Sequence, residues 1–497
     1  MYTIGYDVGS SFVKASILDV ERGNVVAAAS YPDAEMEILS PVRGWAEQHP
    51  DTWWDAVKKV TRRAASQAPV PLSEIRAIGI SYQMHGLVLV DPNGIPLRPS
   101  IIWCDSRATE IGRKAFNEIG QNSCLEELLN SPGNFTASKL RWVKENEPSI
   151  YEKAYKAFLP GDYIALRLTG EFNTTLSGLS EGILWNFRAH TLAERLLQYY
   201  GLRKDMFADT VPSIGNQGYL TRSAAKELGL KAGIAVSYRA GDQPNNAFSL
   251  KVLEPGEIAA TAGTSGVVYA VSGSLNYDPQ SRINGFAHVN HNRDAPHIGI
   301  LLCINGTGIS NSWMRKLVGG SPLTYEEMNQ LASSAPIGSK GVTILPFGNG
   351  AERMFCDKDV GAHISRLNFN VHSKSEIFRA IQEGVAFAFM YGLEIMRSLG
   401  VRTQVLRAGA ANMFLSPIFC RTLASFAGVN IELYNTDGAQ GAARAAAVGA
   451  QLVPSIREAF KGLHRITTIE PENRIDEFAE AYRLWLELLK MVLRATG

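Results

Sequence analysis

The chain has 497 residues, 45% of them hydrophobic and 20% charged, with a formal net charge of +1. That length exceeds what one hydrophobic core supports and predicts two large domains. The balanced charge excludes the electrostatic footprint of a nucleic-acid or anionic-membrane binder, and the five scattered cysteines, with no C-x-x-C pair, exclude a disulfide framework or zinc site and predict a cytoplasmic protein with reduced thiols.

Taken in order, residues 4–19 alternate apolar and polar on either side of a Gly/Ser turn, which predicts strand, turn, strand. Asp7 ends the first strand, Gly9, Ser10 and Ser11 form the turn, and Lys14 lies in the second strand. Glycine admits a close backbone approach and the serines and Lys14 offer donors and charge to a phosphate, while Asp7 is a candidate ligand for Mg2+. The plain alternative is a hairpin with a polar turn. Pro50 opens an apolar-periodic helix whose tryptophans are expected in the core. A buried strand over 75–80 then delivers Gln83, Met84 and His85 to its end, where site residues of an α/β domain collect; a satisfied turn histidine is the competing reading. The next strand, over 101–103, delivers Trp103, Asp105 and Arg107, either an aromatic sugar platform with a polar pair or a core Trp with a structural ion pair. Residues 110 to about 210 read as mainly helical, and nothing there compels a catalytic role; Lys139 and Asp162 read as structural.

The apolar stretch 234–237 runs into Arg239-Ala-Gly-Asp242-Gln243, a carboxylate at a strand end. About twenty residues on, Gly263, Thr264 and Ser265 repeat the turn of Gly9–Ser11, with strands on both sides. Two such hairpins, one in each half, predict two related domains facing one nucleotide. No P-loop and no protein-kinase signature occurs. Further on, Gly308 opens a Gly-rich turn into a helix, Gly409 and Asn412 flank a small-residue turn with room for a flat ring, residues 438–449 form an Ala/Gly-rich helix suited to close packing, and about 472–495 form an amphipathic packing helix, with an oligomer contact such as a homodimer as the alternative.

These motifs together resemble the FGGY carbohydrate kinase family: Asp7-Val-Gly-Ser-Ser-Phe-Val-Lys14, Trp103-Cys-Asp-Ser-Arg107, Ala240-Gly-Asp242, Gly263-Thr-Ser-Gly266 and Gly438-Ala-Gln-Gly-Ala-Ala443 stand in the family's order over nearly the whole chain. Within it, Gln83-Met-His-Gly86 and Trp45-Ala-Glu-Gln48 look most like the xylulokinases. The resemblance implies an α/β fold of two ribonuclease H-like domains, shared with actin and hexokinase, around a deep interdomain cleft, with 1–245 on the sugar side and 246–497 on the nucleotide side. It implies ATP and Mg2+ as cofactors and a small-molecule sugar as acceptor, D-xylulose first, then ribulose, sedoheptulose, gluconate or fuculose. By the same resemblance Asp242 is the general base, Asp7 holds the metal, Gly9, Ser10, Ser11, Lys14, Gly263, Thr264, Ser265, Gly308, Gly409 and Asn412 hold the nucleotide, and Gln83, Met84, His85, Trp103, Asp105, Arg107 and Gln243 hold the sugar. Gln243-Pro244, Ala408-Gly-Ala-Ala411, Glu352-Arg-Met-Phe355 and Asn134 depart from the usual pattern, and Gln243 leaves the acceptor open. An actin- or chaperone-like ATPase and a catalytically dead sugar sensor are the other readings.

Overall fold

The computed structural model describes residues 1–319 and 323–496. Its first sheet is built from the hairpin strands β1 (Tyr2–Val8) and β2 (Val13–Asp19), then β3 (Val25–Tyr31), β4 (Ile75–Tyr82) and β5 (Ala235–Gly241), in the order β5-β4-β1-β2-β3. The first three strands are antiparallel neighbours, and β4 and β5 run parallel to β1. Helix α1 (Pro50–Gln67) covers one face. His49 caps it, Pro50 supplies a preset φ at its first position, and Trp53 and Trp54 are buried beneath it, as the periodicity predicts.

The second sheet repeats this plan. Strands β6 (Glu257–Ala262), β7 (Gly266–Ser272), β8 (Asn284–Ala287), β9 (Ile298–Ile304), β10 (Val405–Gly409), β11 (Asn430–Tyr434) and β12 (Arg465–Ile469) lie in the order β8-β9-β7-β6-β10-β11-β12. Here too a hairpin comes first, and β10 and β11 then run parallel to β6. The core order β11-β10-β6-β7-β9 matches β5-β4-β1-β2-β3 strand for strand, so the two halves are copies of one ribonuclease H-like plan.

The helices that place the site are α2 (Thr136–Asn146), α3 (Leu176–Glu181), α4 (Asp242–Ser249), α5 (Gly308–Gly319), α6 (Tyr325–Ser333), α7 (Lys374–Ser398), α8 (Pro417–Ala427) and α9 (Gly438–Gly449); α10 (Ile475–Ala495) closes the chain. Helix α10 packs Tyr482 and Trp485 against Phe387 of α7, so its apolar stripe is consumed inside the fold.

Helix α9 belongs by position to the second half, yet it lies across β1, β4 and β5 of the first sheet. Its small residues are the reason. A Cβ on Gly5 or Gly79 would stand about 2 Å from α9 backbone oxygens (2.0 Å from Ala439, 2.1 Å from Ala442), so helix and sheet meet at backbone contact. Thr3 and Ser237 hydroxyls donate to the Ala443 and Ala446 carbonyls, each at 2.8 Å. Asn245 of α4 donates to the Gly438 carbonyl at 2.9 Å. The two halves are thereby pinned at α4 and α9.

Candidate active site

Asp242 is the first residue of α4, directly after β5, where the helix N-terminus favours a negative charge. Burial and, after it, the charge of Asp7 nevertheless raise its carboxyl, against the opposing backbone and side-chain amides of Gln243, to about 7. Part of the side chain still reaches water. A carboxylate near neutrality is poised to take a proton at physiological pH.

Asp7 closes β1 opposite its cross-strand partner Lys14. Its Oδ1 accepts from Ser81 at 2.8 Å. Burial raises it too; Ser81 and Lys14 lower it and Asp437 raises it. Asp437 caps α9 by accepting from Gln440 N–H, and Gly438 beside it has no room for a side chain: a Cβ there would lie 2.6 Å from Asp7 Oδ2. Among the described residues no group of three or more His, Cys, Asp or Glu stands ready to hold a metal. Asp7 lies within electrostatic reach of both Asp242 and Asp437, a like-charged neighbourhood that a divalent cation carried in on a phosphate ligand would relieve.

The first turn, Gly9–Ser11, is braced from behind. Gly9 N–H donates to Phe12 O at 3.0 Å. Gln48 donates from Nε2 to the Ser10 carbonyl at 2.6 Å and to the Glu37 carbonyl at 3.1 Å. Its Oε1 accepts from the Trp53 indole, which can only donate, so the amide orientation is forced. Trp103 is 55% exposed and its indole N–H donates to Ser10 Oγ at 3.2 Å, which ties the aromatic residue to the turn.

Gln83, Met84 and His85 follow β4 as expected. Gln83 is buried with both amide atoms unpartnered. Met84 packs against Gly241. His85 takes a left-handed φ of 62° and its ring is wedged edge-on to Phe135, 4.7 Å away. Burial first, and then the charge of Lys139, lower its pKa to about 3, so the ring is neutral. Its Nδ1 lies 2.9 Å from the Glu181 carbonyl, an acceptor, so Nδ1 carries the proton and Nε2 is left as an acceptor for a substrate hydroxyl. Lys139, fully buried on α2, donates to the carbonyls of both His85 and Ile102 at 2.9 Å. Burial brings it down to about 7. It therefore fixes the ends of the two segments that deliver His85 and Trp103.

Asp105 and Arg107 are not brought into the cleft with the others. Both are about 1% exposed at the side chain. Asp105 accepts from Ala46 N–H and from the Arg107 guanidinium, which also pairs with Glu47 at 2.7 Å and lies 3.9 Å over the Trp45 ring. Of the two readings open for this pair, the structure shows the ion pair, set in the wall behind Trp103. Gln243 sits on α4 beside Asp242, its Oε1 buried and unpartnered.

Glu181, at the end of α3, gave no sign in the sequence. Its carboxylate abuts Gly241, where a Cβ would lie 2.4 Å from Oε2, and burial drives its pKa well above the ordinary value, with Asp242 and Asp162 adding to the rise.

The second turn, Gly263–Ser265, opens a cavity of about 570 Å3 that runs along α5 and α6 to the segment 412–416. Gly263, Thr264, Gly308 and Asn412 line it together. Gly308 and Ile309 spend their N–H groups on the Gly263 and Thr264 carbonyls, so α5 buttresses the turn. Gly308 has no alternative, since a Cβ there would lie 2.3 Å from Gly263 O. Asn412 adopts a left-handed φ of 55° at the far wall. Gly409 ends β10 just behind it and is not among the lining residues.

Two phosphate-type turns, a near-neutral carboxylate beside Asp7 and a cavity sized for a nucleoside are the parts that phosphotransfer requires. The N-terminal domain of the FGGY family of carbohydrate kinases matches residues 2–249, and the C-terminal domain of that family matches residues 258–450. The chain belongs to this family. It is 30% identical over 463 residues to the xylulose kinase of Escherichia coli (strain K12), covering 92% of this chain and 91% of the relative. It is 30% identical over 426 residues to the xylulose kinase of Haemophilus influenzae, covering 83% of each. A crystal structure described as a xyloylose kinase from Brucella ovis superposes with a TM-score of 0.90 at 29% identity over the whole of both chains. As an FGGY carbohydrate kinase the chain is an enzyme, and its substrates are a sugar and ATP. Among the described residues no helix is long and apolar enough to cross a membrane.

Proposed function

We propose that this FGGY kinase phosphorylates the terminal hydroxyl of D-xylulose, with the sugar held on the 1–245 side of the cleft and ATP on the 246–497 side. The observation that carries the reading is Asp242, raised to about 7 at the start of α4 and within electrostatic reach of Asp7, together with the buried, unpartnered amide of Gln83 and with His85, whose Nδ1 is spent on the Glu181 carbonyl. Asp242 takes the proton of the acceptor hydroxyl, that oxygen attacks the terminal phosphorus, and the bond to the bridging oxygen of ADP breaks. His85 Nε2 accepts from a second hydroxyl and so orients the sugar. Glu181, its carboxyl held toward the protonated form, keeps a second negative charge away from Asp242. The two turns offer backbone N–H groups and the Ser10, Ser11, Thr264 and Ser265 hydroxyls to the phosphates, and Lys14 adds its charge. Magnesium bound with the nucleotide would neutralise phosphate charge, with Asp7 as its nearest protein ligand.

The names of the two bacterial relatives support xylulose over other acceptors. Gln243-Pro244 favours testing ribulose, sedoheptulose, gluconate and fuculose beside it, because Gln243 adjoins the acceptor position. The test is coupled ADP release from Mg·ATP against a panel of ketoses, sugar acids and polyols, run beside Asp242→Asn. Xylulose-dependent turnover that disappears in the variant supports the proposal. Turnover with another acceptor alone overturns the sugar, and ATP hydrolysis indifferent to every sugar overturns the transfer reaction.

A further inference from the structure

The far end of the nucleotide cavity carries an amide whose direction is set by a chain of hydrogen bonds through α7 and the start of α8. Helix α6 presents Tyr325 and, one turn later, Asn329 to the cavity, opposite Ile309 and Leu415. The lining is mixed, with Ile309, Met413 and Leu415 beside Asn311, Ser312, Asn412 and Asn329, and among its side-chain amides Asn329 is tied to a buried side chain of α7. The polarity of that group follows from a chain of hydrogen bonds. The backbone N–H of Phe419, in the first turn of α8, donates to Ser416 Oγ at 3.1 Å. A backbone N–H can only donate, so Ser416 accepts there and keeps its own proton to give. That proton goes to Gln382 Oε1 at 2.7 Å. Gln382 lies on α7 and is completely buried. With Oε1 so engaged, its Nε2 donates to Asn329 Oδ1 at 2.9 Å. Reversing the Gln382 amide would strip the buried Ser416 hydroxyl of its acceptor, a loss that buried polar groups rarely bear. Asn329 is thus held with its oxygen inward, and its Nδ2 is the end left for the cavity.

The geometry points to Asn329 as the residue that reads the nucleobase, donating from Nδ2 to an unprotonated ring nitrogen of a purine, with Gln382 and Ser416 as positioning residues that forbid the opposite orientation. The inference rests on the kinase reading above and adds to it a base-selecting group. A purine that offers an N–H at the same edge brings donor against donor and is rejected, since a site with a fixed buried donor discriminates most strongly against a partner that cannot accept.

Gln382→Glu tests this without touching the ligand. One carboxylate oxygen still accepts from Ser416; the other now faces Asn329 and forces that amide to turn, presenting Oδ1 to the base. The expected result is a rise in KM for Mg·ATP of about five- to tenfold, an unchanged KM for the sugar, and a shift of preference toward inosine and guanosine triphosphates. Asn329→Leu should raise KM for ATP by a similar factor without that shift. ATP analogues in which one ring nitrogen at a time is replaced by CH locate the contact: one of them should bind the wild type worse than ATP does and bind Asn329→Leu no worse. Unchanged base preference in Gln382→Glu, or analogues that lose equally in wild type and Asn329→Leu, would overturn the assignment. Sugar-dependent ADP release by the wild type, measured in the same assay, judges the kinase reading separately from the base reader.

Discussion

The carboxyl of Asp242 stands near 7 because burial and the neighbouring Asp7 disfavour its ionised form. If it is the base, kcat/KM for the sugar at saturating Mg·ATP rises with pH and levels off above about pH 7, losing about tenfold for each pH unit below. Replacement by Asn removes the base and should cost roughly 10²–10⁴ in turnover, and the residual rate should no longer follow that limb. The same shift has a consequence for stability. A group whose folded pKa is raised binds its proton more tightly in the folded state than in the unfolded one. The folded state therefore loses stability as pH rises from the ordinary value of 3.8 toward about 7, and above that the whole cost of the buried charge is present. Asp242→Asn should accordingly melt higher than the wild type at about pH 8 and lose that advantage as pH falls toward about 4. Thermal scans across this range, run beside the pH–rate profile, check both arms. A rate profile flat down to about pH 5, or an Asn variant that melts lower than the wild type at pH 8, would refute the reasoning: the first removes the base, the second the buried charge.

Gly438→Ala places a Cβ 2.6 Å from Asp7 Oδ2 and must displace the carboxylate; with a shift near 1 Å, turnover should fall by about 10²-fold while the melting profile and sugar binding, read by intrinsic fluorescence, change little. Lys139→Met leaves the His85 and Ile102 carbonyls without their buried donor, so stability should drop by about 2–4 kcal/mol in denaturant unfolding, with a raised KM for the sugar. Gln48→Glu sets a carboxylate oxygen against the Ser10 and Glu37 carbonyls where a donor now stands; KM for Mg·ATP should rise more than in Gln48→Met, and equal effects of the two would show that the amide only fills space.

The parts of the site that were legible in the sequence are those made by local chemistry. A Gly/Ser or Gly/Thr turn between two alternating strands is a hairpin tip wherever it occurs, and its recurrence in the second half announced the duplicated sheets seen in the strand order. Asp242 and His85 were legible because each follows a buried strand, and strand ends are where an α/β sheet opens toward ligand. Trp103, Asp105 and Arg107 mark the limit of that reasoning. Within five residues the chain turns from cleft to wall, and only the tertiary partners, Glu47, Trp45 and Trp142, decide that the guanidinium faces inward. The roles of Glu181, Asp437 and Gln382, and the bracing role of Gln48, which the sequence marked only as part of the Trp45-Ala-Glu-Gln48 motif, were invisible for a related reason. Each is an ordinary polar residue, and its role comes from a partner well away in the chain, such as the Ser10 carbonyl for Gln48 or the Ser416 cap for Gln382. The Ala/Gly run of α9 was legible as a close-packing helix, but the surface it packs on was not, since Gly5 and Gly79 lie in the other half of the molecule. Small residues on both sides of that contact bring α9 to backbone distance from the first sheet, and this sets Asp437 and Gly438 against Asp7. A helix from the second half thereby shapes the acidic end of the first sheet, so the carboxylates depend on how the two halves are seated. Movement of one half against the other would then reposition the acidic group and the phosphate turns together, coupling closure of the cleft to assembly of the site.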